Sequence, residues 1–356
     1  MENFLSTLEI QHFKSIKQMN LRPKRVNVFI GEPNVGKSNI LEAISLLGAC
    51  CSRATTKKFM EEFIRYEEIS NLFFDDDLSI PINVKSDKLN AHLRYHLNNI
   101  DVADLTVGDS IFIDSVLNLE NKSPHEINKL LENVLSNANF YSIISNKGQR
   151  SNWSLSSFFY SPVKPFLYKE STEISNKFPK YLLPPHGDNL FTIITQNSEL
   201  RKEIATTFTH YGLNFVANRS ENKFEIQKNI DGFVNTYNYS SIADTFKRLV
   251  FYFAAIDSNK DSVLILEEPE VHSFPPYTKE LSDRIIASDE NQFFITTHSP
   301  YMLQNLISNL DETELNVYIT YYEDYQTKVK QLTAEELKKA SELNMDLFFN
   351  LTKFIK

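Results

Sequence analysis

The chain has 356 residues, 42% of them hydrophobic and 12% aromatic. That is enough for one large domain or two ordinary ones with a packed core, and it excludes an intrinsically disordered polymer. A net charge of −9 excludes a globally basic nucleic-acid binder, though not a local basic patch, and two cysteines exclude a disulfide framework.

Leu5 to Phe13 reads as an opening strand. From Gln11 to Ile30 there is no acidic residue, while Lys14, Lys17, Arg22, Lys24 and Arg25 all fall inside. This is the best basic patch in the sequence, either a nucleic-acid contact or a solvated strand and turn beside another ligand. Val26 to Ile30 is a β-branched and aromatic run, expected as a buried strand. Directly after it comes Gly31-Glu32-Pro33-Asn34-Val35-Gly36-Lys37-Ser38, which fits G-x-x-x-x-G-K-[ST] without a mismatch. Asn39 to Leu47 then places Ile40, Leu41, Ile44 and Leu47 at helical spacing. A strand, a glycine turn and a helix form a phosphate-binding loop: the backbone N–H groups curl around the phosphates and the helix N-terminus adds positive potential. Lys37 is expected to reach the terminal phosphates and the Ser38 hydroxyl to ligate Mg²⁺, so the stretch points to a nucleoside triphosphate. The adjacent Cys50 and Cys51 read as small residues closing this helix, since neighbours in a helix do not pair and two thiols do not make a zinc site.

Further along, Lys57 to Tyr66 reads as a short amphipathic helix. Asn71 to Val84 reads as a turn between strands, and His92 to Leu97 and Ser110 to Leu119 read as further strands. Ser123 to Ser136 opens with a Ser-Pro signal and carries a helical apolar face. Ser145 to Lys180, rich in Ser, Pro, Tyr and Phe, reads as a loop-rich insertion. One or two helices are expected over Asn189 to Tyr211 and a hairpin over Asn214 to Asp231. Asp244 to Ile256 is a strongly apolar helix. Ser262 to Leu266, Tyr277 to Ser288 and Gln292 to Thr297 form a βαβ unit with parallel strands. Leu315 to Tyr322 and Thr327 to Leu332 suggest a hairpin, and helices close the chain. There is no internal repeat and no heptad run long enough for a coiled-coil arm.

Three further stretches carry chemistry. In Val263-Leu264-Ile265-Leu266-Glu267-Glu268-Pro269-Glu270, four apolar residues precede carboxylates, placing acids at the C-terminal end of a central strand. Glu267 is expected to hold Mg²⁺ and Glu268 to act as general base toward water. Thr296-Thr297-His298-Ser299-Pro300 ends the next strand, where His298 can reach the terminal phosphate and the attacking water. Tyr239-Ser240-Ser241-Ile242-Ala243-Asp244 leads into the apolar helix. Its hydroxyls suit a triphosphate held by a second subunit, but Ser241 with Asp244 is also a plain capping box.

The order of these elements carries a resemblance. Phe13-Lys14-Ser15-Ile16, then Gly31 to Asn39, a long insertion, a serine-led helix, Glu-Glu-Pro-Glu and Thr-His-Ser-Pro resemble the ABC-clan ATPases of RecF, chromosome-maintenance and overcoming-lysogenization-defect type. More closely, the chain is similar to stand-alone AAA-type ATPases of bacterial anti-phage and toxin-type operons. The likeness covers roughly the first 50 residues and Ser240 to Pro300.

The resemblance implies an α/β P-loop NTPase of ABC-ATPase type, a mixed sheet with parallel central strands and an inserted α+β and helical lobe. Residues 1–51 and 236–356 would build the head and 52–235 the lobe. It implies two ATP molecules sandwiched in a homodimer. Gly31 to Ser38 would be Walker A with Asn39 beside it, Glu267 and Glu268 the end of Walker B, His298 the switch histidine, and Ser240 or Ser241 the signature region. Glu267 stands where aspartate is usual, which lengthens the metal arm by one methylene, and the signature region lacks the usual glycines. Gln149 and Gln196 are candidates for the Mg-contacting glutamine. Related nucleases carry a further C-terminal domain; the 56 residues after Pro300 show no paired-aspartate strand, so nuclease activity is not expected. The implied function is Mg-dependent ATP binding and hydrolysis, coupled to dimerisation and to control of a partner effector protein in a defence or toxin-type system. A RecF-like DNA-binding repair ATPase and a non-hydrolysing nucleotide-dependent scaffold are the alternatives. With no signal pattern and no membrane-length apolar run, a cytoplasmic location is expected.

Overall fold

The computed structural model describes residues 2–51, 58–96, 102–119, 122–131, 139–151, 161–169, 180–343 and 345–355. The chain opens with the antiparallel pair β1 (Leu8–Phe13) and β2 (Ile16–Leu21), then β3 (Val26–Gly31) enters a different sheet. Helix α1 (Lys37–Ser45) follows and tightens into a 3₁₀ turn, Leu46–Cys51, that carries both cysteines. Strands β4 (Ile82–Ser86), β5 (Asn90–His96) and β6 (Val102–Gly108) are followed by helices α2 (Ser110–Leu117) and α3 (Pro124–Leu131). With β7 (Phe140–Ser145) and β8 (Arg150–Ser151) they complete an antiparallel seven-stranded sheet, order β2-β1-β4-β5-β6-β7-β8. Strand β9 (Val163–Phe166) returns to the sheet of β3.

Helices α4 (Leu190–Gln196) and α5 (Ser198–Thr209) precede a meander of β10 (Asn214–Asn218), β11 (Lys223–Ile230) and β12 (Phe233–Asn238). Helix α6 (Asp244–Ser258) leads into β13 (Ser262–Glu267), α7 (Pro275–Ala287), β14 (Asn291–Thr296) and α8 (Pro300–Asn309). The hairpin β15 (Leu315–Glu323) and β16 (Gln326–Gln331), then α9 (Ala334–Glu342) and α10 (Leu351–Ile355), end the described chain.

The central sheet has the order β16-β15-β3-β14-β13-β9, parallel throughout except for β16. Both its faces are covered, which is why β3 reads as an unbroken apolar run: all six of its residues are buried. Phe29, Ile265, Phe294 and Tyr318 point toward α1 and the seven-stranded sheet and join one core. Val28, Ile30, Leu264, Leu266 and Ile295 point the other way, into a second core with α6, α7 and α8. Each such fully buried side chain contributes about 1.5–3 kcal/mol relative to exposure. Helix α1 is therefore clamped between two sheets, and the loop ahead of it inherits that rigidity.

Several expectations need correction. Lys57 to Tyr66 is not a helix over its described residues: Met60 has φ 65°, and only a single turn forms, with the Phe63 and Ile64 N–H groups donating to the Met60 carbonyl. Ser110 to Leu119 is helical, because Asp109 caps the Phe112 N–H at 2.8 Å and Phe112 and Val116 fall on one buried face. The strand in that region is the preceding β6. The helix expected over Ser123 to Ser136 is present over Pro124–Leu131, and 132–138 lie outside the described residues. Within Ser145 to Lys180, β9 is a core strand, so the span 52–235 is not one continuous inserted lobe. Its Pro165 is tolerated because β9 lies at the sheet edge, pairing with β13. The expected hairpin at Asn214 gains a third strand, β12.

Candidate nucleotide site

Strands β3, β14 and β13 lie side by side and parallel, so their C-terminal ends open on one edge of the sheet. Ligands of open α/β sheets bind at that edge. Gly31 ends β3, and Glu32, Pro33 and Asn34 form an exposed loop tip; Val35 is buried and Gly36 stands at the N-cap of α1 with φ 94°. Both glycines are required by close approach. A Cβ on Gly31 would lie 2.3 Å from the Thr320 carbonyl oxygen, and one on Gly36 only 2.0 Å from Thr327 Oγ1. No side chain caps α1 and its first turn carries no acidic residue, so its N-terminal N–H groups and positive potential face the loop.

Lys37 is the first residue of α1, and its ammonium turns back over the loop, donating to the carbonyls of Gly31 (2.9 Å) and Glu32 (2.7 Å). Burial pushes its pKa down, and the negative charge of Glu268 pulls it partly back. Ser38 and Asn39 follow on the same turn; Asn39 Nδ2 donates to Ser15 Oγ at 2.7 Å.

Glu267 is the last residue of β13 and sits opposite Thr296 in register. Its carboxylate pairs with Arg65, whose Nε also donates to Glu42 Oε1 at 2.8 Å. Glu268 turns the chain out of the strand with φ 41°, and its N–H donates to the Thr296 carbonyl at 3.0 Å. His298 Nε2 lies 3.3 Å from Glu268 Oε1, with both side chains partly open to solvent. Lys37, Glu267, Glu268 and His298 thus converge from three neighbouring strand ends.

Ser240 and Ser241 are not in that cluster. They form an exposed 3₁₀ turn, Tyr239–Ser241, and the N-cap of α6 is Ala243, with no side-chain cap. The capping box expected of Ser241 and Asp244 does not form; Asp244 instead pairs with Arg248 at 2.7 Å. The α6 N-terminus is tied to the strand-end cluster through Thr245 Oγ1, which donates to the His272 carbonyl at 2.5 Å. Gln149 sits in the turn between β7 and β8 and Gln196 ends α4, so neither belongs to an element that ends at the phosphate loop.

Four supporting residues had no role assigned from the sequence. Thr327 Oγ1 donates to the Val35 carbonyl at 2.9 Å and meets Ser15 Oγ at 2.7 Å, bracing the loop from β16 and from the β1–β2 turn. Glu270 and Arg65 complete the set. The basic stretch, by contrast, is largely spent inside the fold. Lys14 pairs with Glu42, Lys24 donates to main-chain carbonyls, and Arg25 binds Glu314 and the carbonyls ending α7, leaving Lys17 and Arg22 exposed.

The residues fit a magnesium nucleotide. A hydroxyl at Ser38 and a carboxylate at Glu267 are hard oxygen donors, and Mg²⁺ typically takes one or two carboxylates, completing its shell from water and phosphate. Among the described residues no group of three or more His, Cys, Asp or Glu forms a self-sufficient metal cage. Among them, too, no helix is long and apolar enough to cross a membrane.

The family model described as "AAA domain, putative AbiEii toxin, Type IV TA system" matches residues 26–304, well over half of the chain. The DNA replication and repair protein RecF of two Streptococcus suis strains, 05ZYH33 and 98HAH33, is 37% identical over 84 residues, 23% of each chain. The chain thus spans less than a quarter of the length of these curated relatives. An SMC head bound to the C-winged helix domain of ScpA superposes with a TM-score of 0.47 at 15% identity, covering 94% of this chain and 99% of that one. The SMC head domain from Thermotoga maritima does so at 0.41 and 13%, covering 93% and 99%. The chain belongs to the family of that AAA-domain model, and is a P-loop ATPase.

Proposed function

We propose that the chain binds ATP with Mg²⁺ at the β3, β14 and β13 strand ends, hydrolyses it, and uses the cycle to control a partner protein through an ATP-dependent homodimer. The convergence of Lys37, Glu267, Glu268 and His298 at one sheet edge carries this reading. Lys37 would exchange its two carbonyl contacts for the terminal phosphates. When bound between Ser38 and Glu267, Mg²⁺ would neutralise phosphate charge. Glu268 would take a proton from water, and His298 would hold Glu268 and donate toward the charge that develops on the phosphate oxygens. A defence or toxin-type system as the setting draws its support from the family description, which names a toxin of a toxin–antitoxin system.

Glu268→Gln keeps the shape of the site but removes the proton acceptor. The variant is expected to stop turnover, retain ATP and accumulate a dimer measurable by light scattering. In that background, bulky charged residues at both Ser240 and Ser241 are expected to abolish the dimer while calorimetry still finds ATP bound. A charged variant that dimerises normally would reject the trans-contact. A second reading, DNA-stimulated ATPase, rests on the stretch shared with RecF; turnover unchanged by added duplex DNA would dismiss it.

A further inference from the structure

Glu270 follows the acidic pair by two residues, and no step above uses it. Its residue is only 9% exposed. One carboxylate oxygen, Oε1, accepts from Thr297 Oγ1 at 2.6 Å and from the His298 N–H at 2.9 Å. The other, Oε2, is buried without a hydrogen-bond partner among the described residues. Burial raises the carboxyl pKa despite these donors, and the nearby Glu268 charge raises it further. A buried acceptor left unmatched is costly, which asks for a compensating role.

The bonds show what the carboxylate holds. Thr297 Oγ1 in turn accepts the Ser299 N–H at 3.0 Å, and Ser299 Oγ caps α8 through the Met302 N–H at 3.3 Å. His298 is therefore fixed at its main-chain nitrogen by Glu270, flanked by residues fixed through the same network, while its ring projects to Glu268. Glu270 and Glu268 lie on one turn: the Val271 N–H donates to the Glu268 carbonyl (3.1 Å) and the Ser273 N–H to the Glu270 carbonyl (2.8 Å). The turn that presents the base thus also anchors the histidine from the neighbouring strand.

We propose that Glu270 is a positioning residue for hydrolysis: through Oε1 it fixes the Thr297–His298 backbone, and so sets the contact between His298 and Glu268. The inference rests on the proposed roles of those two residues. Loss of the anchor lets the ring shift, and a misplacement of about 1 Å can cost on the order of a hundredfold in rate.

The test is a double-mutant cycle of Glu270→Ala and His298→Ala, read as kcat and ATP affinity separately. Glu270→Ala is expected to lower kcat by about 10- to 100-fold and to leave ATP Kd within about threefold. In the His298→Ala background the same change should cost less than about threefold, because the residue it positions is gone. Glu270→Gln keeps an acceptor oxygen and should recover most of the lost rate. If Glu270→Ala cannot be obtained folded, Glu270→Asp, which draws the acceptor back by one methylene, replaces it in the cycle. Equal losses in both backgrounds, or Gln as impaired as Ala, would overturn the proposal. A readout without turnover separates the two readings: the His298 amide NMR resonance should move in Glu270→Ala and stay near its position in Glu270→Gln. An unmoved amide in Glu270→Ala sinks the positioning role. Normal turnover of His298→Ala with a displaced amide instead sinks the catalytic role of His298.

Discussion

Arg65 bridges Glu42 on α1 and Glu267 at the end of β13, so the carboxylate proposed for Mg²⁺ already has a cationic partner. The arginine is well exposed, with 64% of its side chain accessible, and such screened pairs contribute only about 0.2–1 kcal/mol. Metal has to displace that contact. Arg65→Ala is therefore expected to lower the Mg²⁺ concentration needed for half-maximal ATP affinity by about 1.4- to 5-fold, measured by calorimetry across a Mg²⁺ series. Weaker binding would instead mean that the arginine supports the nucleotide directly. The residues proposed to bind through local backbone were legible in the sequence: Gly31, Gly36 and Lys37 lie within one turn and one spacing rule. Arg65 was not, since its contact with Glu267 spans 202 residues. Glu270 was visible as part of an acidic run, but nothing in that run says that it faces Thr297 rather than the ligand.

Among the elements, the seven-stranded sheet holds a titratable group away from the nucleotide. His92 on β5 is 6% exposed; its Nδ1 meets Asn83 Oδ1 at 2.8 Å, and Nε2 is buried without a hydrogen-bond partner among the described residues. Burial pushes its pKa from 6.5 down to about 4, opposed by Asp104 and reinforced by Arg94 and Lys85. Between those two values the unfolded chain binds the proton and the folded chain does not. Stability is thus full above 6.5 and falls as pH drops toward 4, by about 3 kcal/mol in total. Denaturant unfolding at pH 7 and about pH 4.5 should show His92→Gln losing roughly 2–3 kcal/mol less than the parent, and equal losses would reject the assignment. Elements with strong periodicity, such as α6 and β13, were readable from sequence. Helix α2 was not, because its Ile-Phe-Ile run imitates a strand until Asp109 is seen to cap it. Strand β9 was hidden by Pro165 and by its short length, four residues.

At the scale of the molecule, two cores lie on either side of the central sheet, and the one shared with the seven-stranded sheet clamps α1. The order of motifs was enough to indicate a mixed sheet with parallel central strands, whereas the two cores, the pairing of β9 and the bracing by β16 required the three-dimensional fold. Thr327 contacts the Val35 carbonyl across 292 positions of chain. Replacing it with valine removes two hydrogen bonds, to the Val35 carbonyl and to Ser15 Oγ, each worth about 0.5–1.5 kcal/mol, and is expected to weaken ATP binding by roughly five- to a hundredfold. Unaltered calorimetric affinity would show that the loop holds its shape alone. The same contact has a bearing on biosynthesis. The ribosome makes the phosphate-binding motif 292 positions ahead of the threonine that braces it. A growing chain therefore carries a recognisable but unbraced loop until the β15–β16 hairpin has emerged and closed on it.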